Sequence, residues 1–134
     1  MGSIANPGMG SPTHFPYGLV ENPVAAAGTA DVIAVNSQQV FVTATGVDAM
    51  TLAKPIAGVY PAGVPGSLGD PRDDGKEILI VSTTAQAHTV TTPANGINKT
   101  QHLLTFAGAV DNWVRLKAFG GTWYTIGSSG VTPS

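Results

Sequence analysis

The chain contains no cysteine. Disulfides, thiolate metal sites and thiol nucleophiles are thereby excluded, while the compartment stays open. Charge is scarce as well: Asp, Glu, Lys and Arg make up 10% of the 134 residues, against about 25% in an ordinary domain. A surface so poor in charge is expected to meet other protein rather than bulk water. Lys and Arg number six and the formal net charge is −2, so no basic stripe exists to neutralise a phosphate backbone, and nucleic acid is not an expected partner. Long apolar runs are missing too. The longest, such as Ile78-Leu79-Ile80-Val81, is strand-sized and far short of the roughly 20 residues of a membrane-spanning helix, so no membrane partner is expected. The start, Met1 to Gly8, has neither a basic nor an apolar signal region, and Asn6 stands where a myristoylation motif wants Ser or Thr. Neither secretion nor acylation is expected.

What is present is glycine, 17 residues, and proline, 10, and their placement organises the chain. Residues 1–28 carry Pro7, Pro12, Pro16 and Pro23 among five glycines, a spacing that prevents helix and central strand alike. This reads as an extended N-terminal arm with Phe15, Pro16, Tyr17, Leu19 and Val20 as anchors for a partner surface. Residues 29–127 read as a single β domain, as the length of the chain favours. Within it, residues 54–74 form a long Pro/Gly loop of the kind that serves binding or reaches a neighbouring subunit. Residues 128–134 read as a flexible C-terminal tail. No helix is expected; Val24 to Ala30 is the best candidate and lacks amphipathic period. No repeat at a period of about 20–50 residues is visible, which argues against a solenoid or propeller.

The strand signals are denser. Ala30 to Val35, Gln39 to Ala44 and Ala49 to Ala53 are β-branched and alternating, and Glu77 to Val81, His88 to Thr92, Leu103 to Phe106, Trp113 to Phe119 and Thr122 to Ile126 follow. Gly120-Gly121 between the last two marks a two-residue hairpin loop, supplying the positive φ of a type I′ or II′ turn and fixing the register. Phe119 is then opposite Thr122, Ala118 opposite Trp123, Lys117 opposite Tyr124 and Leu116 opposite Thr125. Alternation places Val114, Leu116, Ala118, Trp123 and Thr125 on the core face. Trp113, Arg115, Lys117, Phe119, Tyr124 and Ile126 fall on the other, where cations beside rings make either a contact surface or a solvated face with Lys and Arg stems over the rings. The expected fold class is all-β, a small β-sandwich or barrel of about seven or eight strands with its Pro/Gly-rich arm.

The search for chemistry returns little. His14, His88 and His102 lack any metal-ligand spacing. Asp70, Asp73 and Asp74 resemble a calcium loop only superficially, because the position that needs a bidentate acid holds Val81; turn formation is the better reading. Ser67 lacks the spacing of a nucleophile elbow. Asn98-Lys99-Thr100 is a formal glycosylation sequon without a secretion signal. No catalytic residue, cofactor or metal is expected, and the protein is read as a non-enzyme.

The run from Asp74 to Thr91, with Phe106, Trp113-Val114-Arg115-Leu116 and Gly121 to Ser128, resembles a small β module of tailed-bacteriophage virion proteins. The opening Phe15-Pro16-Tyr17-Gly18-Leu19 is similar to the starts of phage head-module proteins. The resemblance implies a capsid decoration, or cement, protein that binds the major capsid protein on the outer surface of the head and stabilises it, often as a homotrimer. Its place would be the virion, after assembly in the host cytoplasm. The alternative is a tail, baseplate or receptor-binding component contacting a host polysaccharide or protein. The partner-binding residues expected on this reading are Phe15, Pro16, Tyr17, Leu19, Val20, Trp113, Arg115, Lys117 and Tyr124.

Overall fold

Alternating apolar residues force strands to find two-sided partners, and here they do so in two layers. The computed structural model describes residues 23–62 and 69–134. Its ten strands are β1 (Val24–Ala26), β2 (Val32–Ile33), β3 (Gln39–Val42), β4 (Ala49–Leu52), β5 (Glu77–Ser82), β6 (Thr89–Thr91), β7 (Leu103–Phe106), β8 (Trp113–Phe119), β9 (Thr122–Ser129) and β10 (Val131–Pro133). They make two mixed sheets of five, ordered β1-β3-β5-β8-β9 and β10-β7-β6-β4-β2. No helix occurs among the described residues. The fold class is therefore all-β; the arm through residue 22 lies outside the described residues.

The first six strands step alternately between the sheets and pair in parallel within each, β1 with β3 and β3 with β5 on one side, β2 with β4 and β4 with β6 on the other. The chain thus winds through both layers three times before β7, the β8–β9 hairpin and β10 close the sheets with antiparallel pairs. The winding leaves no fixed period in the sequence because its turns are unequal. Val24 pairs with Val40, sixteen residues on, whereas Val40 pairs with Ile80, forty residues on. The segment between β4 and β5 accounts for the excess.

The inner faces share one core. Val40, Val42, Ile78, Ile80, Val114 and Leu116 of one sheet meet Met50, Leu52, Val90, Leu104 and Phe106 of the other, all essentially inaccessible. Each such side chain contributes about 1.5–3 kcal/mol by leaving water. Trp123 is fully buried and its indole N–H donates to the carbonyl of Ala53 at 2.9 Å, satisfying the one polar atom a buried indole carries. The hairpin register expected from Gly120-Gly121 is observed pair for pair from Phe119–Thr122 to Leu116–Thr125. Both glycines have positive φ, +61° and +81°, as a type I′ turn requires. Beyond Thr125 a bulge intervenes: Arg115 pairs with Gly127, and Ile126 is the extra residue.

Two boundaries differ from expectation. Val24–Ala26, placed by its neighbouring prolines in the arm, is a strand of the core sheet with Ala26 buried, because parallel pairing to β3 overrides a weak local signal. Residues 128–134, expected as a flexible tail, complete β9 and form β10, which pairs with β7 and buries Val131. Gly130 at φ +69° turns the chain between them, and Ser134 exchanges hydrogen bonds with Leu103.

One polar cluster is buried between the layers. His88 and Asp48 are inaccessible to solvent. The Asp48 N–H donates to His88 Nδ1 at 3.1 Å, and His88 Nε2 lies 3.0 Å from Thr84 Oγ1, which donates onward to the carbonyl of Ala44 at 2.7 Å. Burial holds the His88 imidazole below its ordinary pKa and pushes the Asp48 carboxyl above the usual range. Asp48 Oδ1 accepts the N–H of Asp31, while Oδ2 has no hydrogen-bond partner among the described residues.

Candidate binding face

The two sheets present different outer faces, and the difference locates the site. The outward positions of the β10-to-β2 sheet are Ala49, Thr89, Thr105 and Thr132 in one row and Val32, Thr51, Thr91 and Leu103 in the next. They carry no charge and no ring. The β1-to-β9 sheet instead shows one row of Ala25, Phe41, Val81, Trp113 and Ser129, a second of Gln39, Leu79, Arg115 and Gly127, and a third of Glu77, Lys117 and Tyr124. Phe41, Val81 and Trp113 occupy one end of this face, and the cations, with Tyr124 beside Lys117, the other.

Phe41, Leu79, Val81, Trp113 and Tyr124 are each half-buried, so their outward sides remain wettable while neighbouring side chains hold them. Trp113 has a particular seat. Its ring lies across Gly127 on the adjacent strand, so close that a Cβ there would come within 3.2 Å of two ring carbons. Bare backbone under the indole fixes the ring's position, and the bulge at Ile126 brings that glycine opposite Arg115.

At the other end, Glu77 serves two cations: Lys117 Nζ lies 3.4 Å from Oε2 and Arg115 Nη1 lies 3.9 Å from Oε1. Lys76 is engaged elsewhere, with Asp73 Oδ1 at 2.7 Å and Asn36 Oδ1 at 2.6 Å. Between these groups an open groove of about 640 Å³ is lined by Asn36, Gln38, Lys76, Glu77, Leu79 and Arg115 among others.

The segment between β4 and β5 borders this end and is tied down at its base. Val59 and Asp70 exchange backbone hydrogen bonds. Asp73 accepts the N–H of Ile56, and Asp74 accepts both the Gly120 N–H at 2.8 Å and the Tyr60 hydroxyl at 2.7 Å. The Lys76 ammonium, with the Ile56 N–H, holds the Asp73 carboxyl below its ordinary pKa; for Asp74, desolvation pushes the carboxyl up, but the hydrogen bonds from Tyr60, Gly120 and Gly58 together outweigh it and hold the pKa below the ordinary value. These aspartates are loop staples, and no group of three potential metal ligands occurs among the described residues. Asn98, the sequon residue, donates to Gln101 Oε1 and Thr125 Oγ1 and accepts the Thr125 N–H; it holds the 92–102 loop onto β9.

Of the residues expected to bind a partner, Trp113, Arg115, Lys117 and Tyr124 lie on one face, with Lys117 and Tyr124 directly paired. Phe15, Pro16, Tyr17, Leu19 and Val20 lie outside the described residues. Phe41, Leu79, Val81, Glu77 and Gln38 are additions that sequence reading passed over. The signal for Phe41 was alternation in β3. Leu79 and Val81 were hidden in a continuous apolar run that reads as buried on both sides. Compared with known proteins, the chain matches no family model, no curated protein and no solved structure.

Proposed function

We propose that the protein is a non-enzymatic capsid decoration protein of a tailed phage, which seats the Phe41, Val81, Trp113 and Arg115 face on the major capsid protein at the outer surface of the head. The observation that carries this reading is the contrast between the two outer faces. One is uncharged and threonine-rich, while the other gathers rings, aliphatic side chains and two of the chain's six Lys and Arg residues, Arg115 and Lys117. Aromatic residues and arginine are the side chains enriched where proteins bury one another. The two layers around one core supply a rigid sandwich on which such a face can be held.

The mechanism is mass action: a protein that binds the assembled shell but not free subunits stabilises the shell by its binding free energy at every occupied site. A trimer would place three copies of the face around one axis, and light scattering on the purified protein decides that point. The role itself is tested by adding labelled protein to phage shells stripped of it. Saturable attachment to heads in electron micrographs, with raised shell melting temperature, is the expected result. Label on tails alone, or none on virions, overturns it.

A further inference from the structure

The groove at the cationic end of the face carries a loosely engaged recognition group. Arg115 is about half exposed, and the carboxylate oxygen it pairs with, Glu77 Oε1, is 3.9 Å away, beyond hydrogen-bonding length. Lys117 takes the other Glu77 oxygen, and Lys76 is held by Asp73 and Asn36. Among the described residues three cations thus face two carboxylates, leaving one excess positive charge there in a chain of net charge −2. That charge is a guanidinium, whose planar fork matches a carboxylate in two parallel hydrogen bonds. Leu79 lines the groove beside it. One row further on lie Val81, Trp113 and Phe41.

We propose that this groove receives an extended peptide segment of the partner protein in which a Glu or Asp stands two residues from an apolar side chain, the carboxylate on Arg115 and the apolar group over Val81 and Trp113. Arg115 and Trp113 are themselves two residues apart on one strand, about 7 Å along it, the distance between alternate side chains of an extended peptide. A neutral glycan leaves the guanidinium uncompensated. An acidic glycan offers no apolar side chain for the neighbouring row. The proposal rests on the binding-face reading above and names the chemistry that face selects.

The test is a titration of the isotope-labelled full chain with the pentapeptide acetyl-Leu-Ser-Glu-Ser-Leu-amide, followed by NMR, against the same peptide with Gln in place of Glu and against tetragalacturonate. Saturable shifts of the Arg115 Nε–H and of the Leu79 and Trp113 amides are expected with the acidic peptide, at an affinity about tenfold above that of the Gln peptide. Arg115→Gln should lose that tenfold and Arg115→Lys part of it, while Lys99→Gln, an exposed cation elsewhere, should lose nothing. Equal binding of the Gln peptide, preferential saturation by tetragalacturonate, or shifts confined to other surfaces overturns the proposal. Shell attachment is measured in parallel. Attachment without peptide binding overturns the groove's assignment alone, whereas peptide binding without attachment overturns the capsid reading alone.

Discussion

The backbone N–H of Asp48 donates to Nδ1 of His88, 3.1 Å away and forty residues along the chain. With Nδ1 accepting, the neutral ring carries its proton on Nε2 and donates it to Thr84 Oγ1, whose own proton goes to the Ala44 carbonyl. The imidazole therefore bridges the β3–β4 and β5–β6 turns in one tautomer and only when uncharged.

A pH dependence follows from that arrangement. The folded pKa of His88 lies below the ordinary 6.5, so below about pH 6.5 the unfolded chain binds the proton first and stability falls. Urea melts from pH 8 to pH 5 should show a plateau above about 6.5 and a decline beneath it. In His88→Ala that decline should vanish, on a background loss of about 2–4 kcal/mol from the cavity and the orphaned Asp48 N–H. An unchanged slope in the variant would place the titration elsewhere.

Asp48 titrates in the opposite sense. Its folded pKa is raised above 3.8, chiefly by burial, so its share of stability is present below that value and is lost as pH rises through the folded pKa. Asp48→Asn keeps an acceptor for the Asp31 N–H and removes the charge from a buried, unpartnered oxygen. A gain of about 1 kcal/mol at pH 7 is expected in denaturant melts. Destabilisation instead would mean that the ionised carboxylate is needed in the fold.

Asp74 staples the 53–76 segment through Gly120 and Tyr60. In Asp74→Ala, hydrogen exchange at the Gly120 amide and protease cleavage between Ile56 and Asp70 should rise about tenfold or more, while the core amides of β5 and β8 keep their protection. Equal acceleration across the core would show that the segment is part of the cooperative unit.

Truncation separates the arm from the sheet. Deleting residues 1–22 leaves every described strand in place and should leave stability unchanged, yet weaken shell attachment more than tenfold, which is about 1.4 kcal/mol. Deleting 1–28 also removes β1 and the buried Ala26 and should cost about 2 kcal/mol in addition. Loss of 130–134 strips β10 from the edge of its sheet, removing the buried Val131 and uncovering its pairing partner Phe106, with a similar penalty. Full attachment by the 1–22 deletion would assign binding to the sheet face alone.

The local chemistry of the sequence by itself determined the hairpin. A Gly-Gly loop admits few turns, each turn admits one register, and the register places Trp123 inward and Lys117 outward without knowledge of any other strand. It likewise determined the absence of thiol chemistry and the strand positions of β7 and β8, where strong alternation meets clear turn signals. Only the tertiary structure decided which strands share a sheet. Parallel pairing joins β3 to β5 across forty residues, and no local residue encodes a partner so distant. The same long-range contacts made strands of Val24–Ala26 and Val131–Pro133, whose few residues form no stable extended structure until a neighbouring strand supplies their hydrogen bonds. They also brought His88 to Asp48 and Arg115 to Leu79, because burial and cross-strand proximity are properties of the packed chain and not of any segment within it.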